Sequence, residues 1–471
     1  MTSVLWLRRD LRRRDHPALL AAHEAGGPVL PLFVADPALV ASAGTARLSA
    51  LHEALRGVHD AYDGALVVRS GRPEEVVPAV VREVGATSVH VSAETTPYGR
   101  RRDERVEAAL AALADDGARP PGPVPLVRTG SPYAVTPGRV RNGSGDPYKV
   151  FTPFSRAWRD HGWRRPAEEP AGVRWVRGHG SEPLPGADAE ARWASSGASL
   201  TGVVDEEHAL DRWHTFLDDG LASYDSGRDR PDLDATSGLS VHLKYGTVHP
   251  RTLLADVAAH PAARTADATR FVTELAWREF YADVLWHAPS SAWADLRPGL
   301  SGLAYEDPAQ GPTAERFAAW CEGRTGYPFV DAGMRQLVRE GWVHNRVRMV
   351  VASFLVKDLH VWWPHGARHF MAHLRDGDLA SNSHGWQWVA GTGTDASPFF
   401  RVFNPVTQGK RFDPDGDYVR RYVPELAHVA GAAAHEPWSV LDGYGEGYPE
   451  RVVDHAAERE EALRRYSAAT A

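Results

Sequence analysis

Cysteine is almost absent from this chain: Cys321 stands alone among 471 residues. That excludes an internal disulfide framework and any centre built from several thiolates, and it agrees with a reducing cytoplasm, where the protein is expected to work. Cys321 itself reads as a small helix residue beside Trp320. Long apolar runs are missing too. No stretch approaches the roughly 18 residues of a membrane span, and Met1 to Asp15 reads as a strand followed by arginines, not as a leader. Net positive charge is also lacking. A formal charge of -8 argues against indiscriminate nucleic-acid binding, which rests mostly on neutralising phosphates. Any contact with DNA must come from a local patch. Finally, the first strand runs into Arg8-Arg9-Asp10-Leu11-Arg12 with no Gly-x-Gly-x-x-Gly turn, and no Gly-x-x-x-x-Gly-Lys loop occurs, so the usual nucleotide fingerprints are absent.

What is present divides the chain in three. Short apolar runs at Val4–Leu7, Val29–Val34, Leu66–Val68 and Ser88–Val91 alternate with helical stretches at Arg47–His59 and Glu74–Val84. That alternation predicts an α/β N-terminal doubly wound parallel-sheet domain over residues 1–128. Residues 129–204 are rich in Gly, Pro and Ser, with one short helical piece at Pro153–Trp158, and read as a connector laid over the surface. From Asp205 to the end, at 205–471, helical periodicity dominates through His208–Asp218, Ala268–Leu285, Asp331–Arg339 and Val343–Leu359. The reading is an all-α C-terminal domain. The alanine-rich stretches Ala427–Ala434 and Ala456–Ala471 read as a surface loop and a frayed helix.

Tryptophan is abundant: 16 residues against 14 Tyr and 14 Phe. Packing accounts for most of them, but several stand beside polar residues that a plain core would exclude. Three clusters follow. On one helix Glu274, Trp277 and Arg278 share a face, and on another Asn345, Arg348 and Met349 do, each mixing an apolar plate with hydrogen-bonding groups. Such faces suit a pocket wall, while an ordinary Glu274–Arg278 ion pair is the alternative. A second cluster runs Asp376-Gly377-Asp378, Asn382, Trp386-Gln387-Trp388 and Gly391 to Asp395. It suits a heteroaromatic ligand with ring nitrogens, or is a loop with a satisfied Asp turn; no accompanying ligand set points to a metal, and His384 reads as a surface histidine. The third, Tyr224, Arg228, Pro231, Thr236-Ser237-Gly238-Leu239-Ser240, Leu243 and Gly246, could cradle a phosphate at a helix start or could be a helix cap.

Together, in this order and with Trp277-Arg278-Glu279-Phe280-Tyr281, Thr325-Gly326-Tyr327-Pro328 and Trp342-Val343-His344-Asn345-Arg346 between them, the clusters resemble the cryptochrome/photolyase family over nearly the whole chain. Within it the chain is most like the class I enzymes that split cyclobutane pyrimidine dimers. The resemblance implies FAD, active when reduced, bound non-covalently in a U shape. Tyr224, Thr236, Ser237, Leu239 and Ser240 would lie near its phosphates, and Arg348, Asp376, Asp378 and Asn382 near the isoalloxazine, with Arg278 a further contact. It implies light-driven repair of ultraviolet-damaged DNA by a monomer, with a blue-light photoreceptor of the cryptochrome type as the alternative. An amide at Asn382 favours repair over sensing, and Asn345 with Met349 favours the cyclobutane dimer over the (6-4) lesion.

A dimer in duplex DNA must be flipped out to reach a buried flavin. The expected stacking walls are Trp277 and Trp388, with Glu274 and Asn345 hydrogen-bonding the base edge and Met349 beside them. Arg401, with Arg346, Lys410 and Arg411, is the candidate phosphate patch. The electron path is expected to use Trp386 and Trp363, but Gln310 stands where the family's third tryptophan belongs, so its outer end falls to Tyr305, to Trp293 or to neither. Tyr98-Gly99 replaces the Asn-Glu pair of folate-antenna enzymes. That resembles members carrying an 8-hydroxy-deazaflavin antenna, with Phe33, Arg47 and Lys244 as its pocket.

Overall fold

Val4 to Leu7 shows why the first strand forms where it does. Leu5 and Leu7 face one apolar cluster with Leu19, Ala50 and Leu55, while Val4 and Trp6 face another with Val77, Val81 and Val106. A strand with both faces covered needs a continuous apolar run, and β1 (Thr2–Leu7) has one at Val4–Leu7. The computed structural model describes residues 1–113, 122–195, 202–297, 300, 302–394 and 401–470; Asp395 lies outside them.

β1 is joined by β2 (Val29–Ala35), β3 (Val67–Ser70), β4 (Ala86–Val91) and β5 (Leu126–Arg128). All pairings are parallel, in the order β3-β2-β1-β4-β5. Helices cover both faces, among them Thr45–Ala61, Pro73–Val84 and Pro97–Ala111. Pro73 opens the second of these, and Gly85 ends it at φ 59°, a left-handed turn that costs glycine little. The order reverses beside β1, so the switch point lies where β1 and β4 end. This is the doubly wound sheet that the alternating periods predict.

The connector is less superficial than its composition predicts. Val135, Val140, Phe151, Phe154 and Trp158 are buried with the helix Ala266–His287. Glu279 on that helix anchors them: its carboxylate accepts from the backbone N–H of Ala134 and Val135 and, at 2.6 Å, from Trp158 Nε1. Burial raises the Glu279 carboxyl to about 7 against the pull of these donors. The later part of the connector lies against the sheet, where Trp175 bridges to Val29 and stacks on Tyr62 at 4.7 Å.

Beyond Asp205 the described residues form helices and no sheet, with a single bridge between Glu306 and Val361. The expected helix Val343–Leu359 is shorter: Asn345–Ser353 runs into one wide turn at Phe354–Asp358, and His360 then takes φ 54°. Two other expectations change. Leu426, Val429 and Ala434 are buried in the helical core, so that stretch is no surface loop. The last helix, His455–Thr470, is not left to fray, since Arg465 pairs with Glu306 at 2.6 Å and His455 is bonded to buried Asp358. Among the described residues no helix is long and apolar enough to cross a membrane.

The sheet and helical parts are tied where β1 ends. Leu11 N–H donates to Tyr245 at 3.1 Å, the Tyr245 hydroxyl donates to the Arg47 carbonyl at 2.7 Å, and Arg12 donates to the Gly246 carbonyl at 3.0 Å.

Candidate active site

The helix Ala266–His287 carries the first wall. Glu274 and Arg278 do not form the ion pair that their spacing permits. Arg278 donates to the carbonyls of Pro132 at 3.1 Å and Leu243 at 3.0 Å, and lies 4.5 Å over the Tyr133 ring. Glu274 instead binds Arg228, which also lies 5.8 Å from the Tyr224 ring. Next in sequence, Asp229 binds Arg346 at 2.8 Å. Residues 224–229, 274–278 and 345–349 thereby become one rim.

Trp277 lies flat on Phe151, with ring centroids 3.6 Å apart and planes 7° from parallel. Phe280 and Tyr281 also approach the indole, at 5.9 and 5.4 Å, and the side chain stays partly exposed. Asn345 is exposed as the first residue of its helix, capped by His344, whose Nδ1 accepts from Arg346 N–H at 3.2 Å. Burial lowers His344 to about 4 and keeps it neutral. Met349 is half-buried, its sulfur 3.7 Å from Arg346.

The second cluster lies around the helix Leu379–Ala390. Asp378 does cap it, accepting from Ser381 N–H at 3.0 Å, so the Asp turn is real. It also accepts from Arg9 at 2.6 Å, across the junction with the sheet. Burial opposes ionisation of Asp378, but the charges of Arg9, Lys244 and Arg278 outweigh it and hold the carboxyl below the usual carboxylate range. Asp376 is buried and paired with Arg348 at 3.0 Å; Arg348 also donates to the Val343 carbonyl at 2.7 Å. Asn382 is buried and its amide nitrogen donates to the Ala367 carbonyl at 3.0 Å, which leaves its own carbonyl oxygen without a partner among the described residues.

Trp386 and Trp363 are buried. The Trp386 ring fills the space beside Gly366, where a Cβ would overlap it, and Gly366 is one helical turn from Trp363. Trp363 donates to Asp295 at 2.6 Å. Trp388 is half-buried against the helical core. His384 corrects the expectation of a surface residue: it is fully buried, stacked on Tyr281 with centroids 5.7 Å and planes 25° apart, and burial lowers it to about 4.

The third cluster is a loop held from behind. Arg212 donates to the carbonyls of Ser237 at 2.8 Å and Thr236 at 3.4 Å. Gly238 follows at φ 64°, with no room for a Cβ beside Arg212. Leu239 is buried, Ser240 is exposed, and the helix Ser240–Tyr245 starts with no side chain capping it. The cap alternative therefore fails, and the hydroxyls of Thr236, Ser237 and Ser240 are not spent on it. Tyr224 is buried beside them in the same core as Leu239.

Arg47 and Lys244 are neighbours at the junction. Burial, reinforced by Arg9 and Arg47, lowers the Lys244 amine to about 8. Arg47 bonds the Ser42 carbonyl at 2.7 Å, while its other terminal nitrogen is buried without a partner among the described residues. Phe33 lies in the same apolar cluster as Tyr245. Arg401 stands apart: it is exposed and meets none of the other site residues in the described structure, its carbonyl accepting from Lys357. Lys410 and Arg411 are exposed near it in sequence, Lys410 already paired with Glu436.

Sequence reasoning missed Arg9, Phe151, Arg212, Asp229 and Asp295, all of which hold a site residue. Arg9 alone carried a signal, since it follows β1 at the switch point. The donor set fits a flavin dinucleotide: a free amide oxygen at Asn382 and the pair of Arg348 with buried Asp376 for ring nitrogens and carbonyls, and unspent hydroxyls at the braced loop for phosphates. No group of acids, histidines or cysteine among the described residues could hold a metal.

Residues 3–171 match the family described as DNA photolyase, and residues 271–468 match the FAD binding domain of DNA photolyase. The chain is 42% identical to the deoxyribodipyrimidine photo-lyase of Streptomyces griseus, over 97% of each chain. Among solved structures it is similar to a class III photolyase from Agrobacterium tumefaciens, with TM-score 0.87 and 36% identity over 99% of this chain and 97% of that one. It is also similar to a Synechocystis cryptochrome, with TM-score 0.86 and 25% identity over 98% of both chains.

Proposed function

The chain belongs to the DNA photolyase family, and from that premise we propose that it repairs cyclobutane pyrimidine dimers in ultraviolet-damaged DNA, using light absorbed by bound FAD. The observation that carries the reading is the anchored Asn382 amide, whose free oxygen is aimed by its bond to Ala367 and offers an acceptor to a ring N–H of the cofactor. Reduced FAD supplies a light-excited one-electron donor when bound. Arg348 and Asp376 would hold the ring edge, and Thr236, Ser237 and Ser240 would donate to phosphates from the loop that Arg212 keeps in place. Tyr224 and Leu239 would wall that end, and Arg278 would clip the loop's helix to the wall through the Leu243 carbonyl.

The dimer would stack on partly exposed Trp277, backed by Phe151, with Trp388 and Met349 as apolar neighbours. Glu274, held by Arg228, would accept from a pyrimidine N–H, and Asn345 would donate to a carbonyl, so that charge arriving on the base meets prearranged partners. Arg401, Lys410 and Arg411 would contact phosphates; a protein of charge -8 needs such a patch. Trp386 and Trp363 would return electrons to the pocket. Phe33, Arg47 and Lys244 suit a second, anionic chromophore of the 8-hydroxy-deazaflavin type, because buried Arg47 and half-buried Lys244 have few acceptors of their own. The chain would act as a monomer.

Illuminating the purified, chemically reduced protein with dimer-containing single-stranded oligothymidylate should restore thymine absorbance. No recovery from flavin-loaded, fully reduced protein overturns the reading. Mass analysis of chromophores released by denaturation tests the antenna, and a folate in place of a deazaflavin would reject it.

A further inference from the structure

We propose that Trp362 is the outer electron donor of this chain's tryptophan path, with Asp295 receiving its proton. The inference rests on the reading that Trp386 and Trp363 pass electrons to a bound flavin. Position 310 cannot serve: Gln310 is exposed, carries no oxidisable ring and donates its amide to Asp307 at 2.6 Å. Trp362 lies next to the inner residue of the path, its ring centroid 6.4 Å from that of Trp363. Both indoles point their N–H at one carboxylate oxygen, Asp295 Oδ1, at 3.3 Å from Trp362 and 2.6 Å from Trp363.

Three physical differences separate Trp362 from the other aromatics nearby. The Asp295 carboxylate faces both Trp363 and Trp362, so the direction is set by exposure: water stabilises the positive hole on partly exposed Trp362, and the hole runs outward from buried Trp386 and Trp363. Trp293 has the opposite surroundings, with the Arg368 guanidinium 5.2 Å over its ring opposing a hole. Tyr305 must lose its proton when oxidised, yet its buried hydroxyl has no hydrogen-bond partner among the described residues. Trp320, with its centroid 6.1 Å from that of Trp386, is fully buried and bonded to the Val351 carbonyl, which cannot take a proton.

One electron leaves Trp386 toward the pocket, Trp363 refills Trp386, and Trp362 refills Trp363. Oxidised Trp362 gives its Nε1 proton to Asp295 and becomes a neutral indolyl radical. An external thiolate then returns one electron and Asp295 returns the proton, restoring the indole; two thiyl radicals from successive events join as a disulfide.

The test is flash absorption on the full chain carrying oxidised FAD. Trp362→Phe should shorten the lifetime of the tryptophanyl radical by about tenfold or more, a change of about 1.4 kcal/mol in the barrier to its return. Tyr305→Phe and Trp293→Phe should leave that lifetime at the parent value. Trp362→Tyr should yield a tyrosyl signature, and Asp295→Asn a radical that stays protonated. An unchanged lifetime in Trp362→Phe, or shortening in Tyr305→Phe, Trp293→Phe or Trp320→Phe instead, overturns the proposal. The parent's failure to repair a dimer when chemically reduced would count against the repair reading alone, since the radical is measured without DNA.

Discussion

At the switch point of the sheet, the place where an open α/β fold usually holds its ligand, most polar groups bond one another, and Arg8 Nε and Asp103 Oδ2 are buried without a partner among the described residues. Arg8 binds Asp103 at 2.9 Å and the Ser92 carbonyl, while Asp10 accepts from Arg8 N–H at 2.7 Å and from the Ser92 hydroxyl at 2.6 Å. The helical part does the reverse. There Asn382 keeps an acceptor, Thr236, Ser237 and Ser240 keep hydroxyls, and Trp277 stays partly exposed. The two regions teach that topology alone does not place a ligand. Leftover hydrogen-bonding capacity narrows the choice, because leaving a polar group unpaired in a folded chain is costly unless a ligand pairs it.

The widest test of this contrast is acid. Burial lowers His16, His242, His249, His344, His369 and His384 to about 4, against about 6.5 in an unfolded chain. Each stays neutral in the fold while the unfolded chain takes a proton. Their contribution is therefore complete above pH ~6.5 and lost as pH falls toward about 4, each adding up to about 1.4 kcal/mol per pH unit to the slope. Only His16 belongs to the sheet part, so denaturant titrations between pH 7 and 4 should show the helical part and its flavin absorbance failing first. A sheet that unfolds before the helices would break the comparison.

Arg348→Ala should come next in size. It strands the buried Asp376 carboxylate, for a cost of about 3–5 kcal/mol and loss of bound flavin, read together from the denaturation midpoint and the visible absorbance. Glu274→Ala removes a charged partner from the rim but not from the expected flavin contacts. Repair should fall by about tenfold to a hundredfold, about 1.5–3 kcal/mol, with flavin content unchanged. Flavin loss in that variant would move Glu274 from the substrate to the cofactor. Smallest of all, Ser92→Ala should cost about 1 kcal/mol of stability and leave flavin content and repair at parent values, since the Ser92 hydroxyl bonds Asp10 of its own region.

Much of this was legible in the sequence, and what was not has a common cause. The strands and long helices follow from periods of two and 3.6, which are local. Asn382, Arg348 and Asp376 were found because they stand in ordered motifs. Arg9 and Asp378 are bonded across 369 positions, and no local pattern announces such a pair. Glu274 shows the same limit at short range: helical spacing offered Arg278, but Pro132 and Leu243 claimed that guanidinium and left Glu274 to Arg228. His384 was misplaced because a histidine looks alike in sequence whether it meets water or the ring of Tyr281. The connector misled because its glycines and prolines outnumber the few aromatics that bury it.

Gly366 matters for what it lacks. With no side chain, it lets the Trp386 indole settle directly on the backbone of the helix that carries Trp363. Electron tunnelling weakens exponentially with the gap to be crossed, so on the proposed path a single methyl group here would act as a resistor in series with every later hop. The absent carbon would then set the conductance of that path, at a residue that carries no charge and takes part in no bond-making.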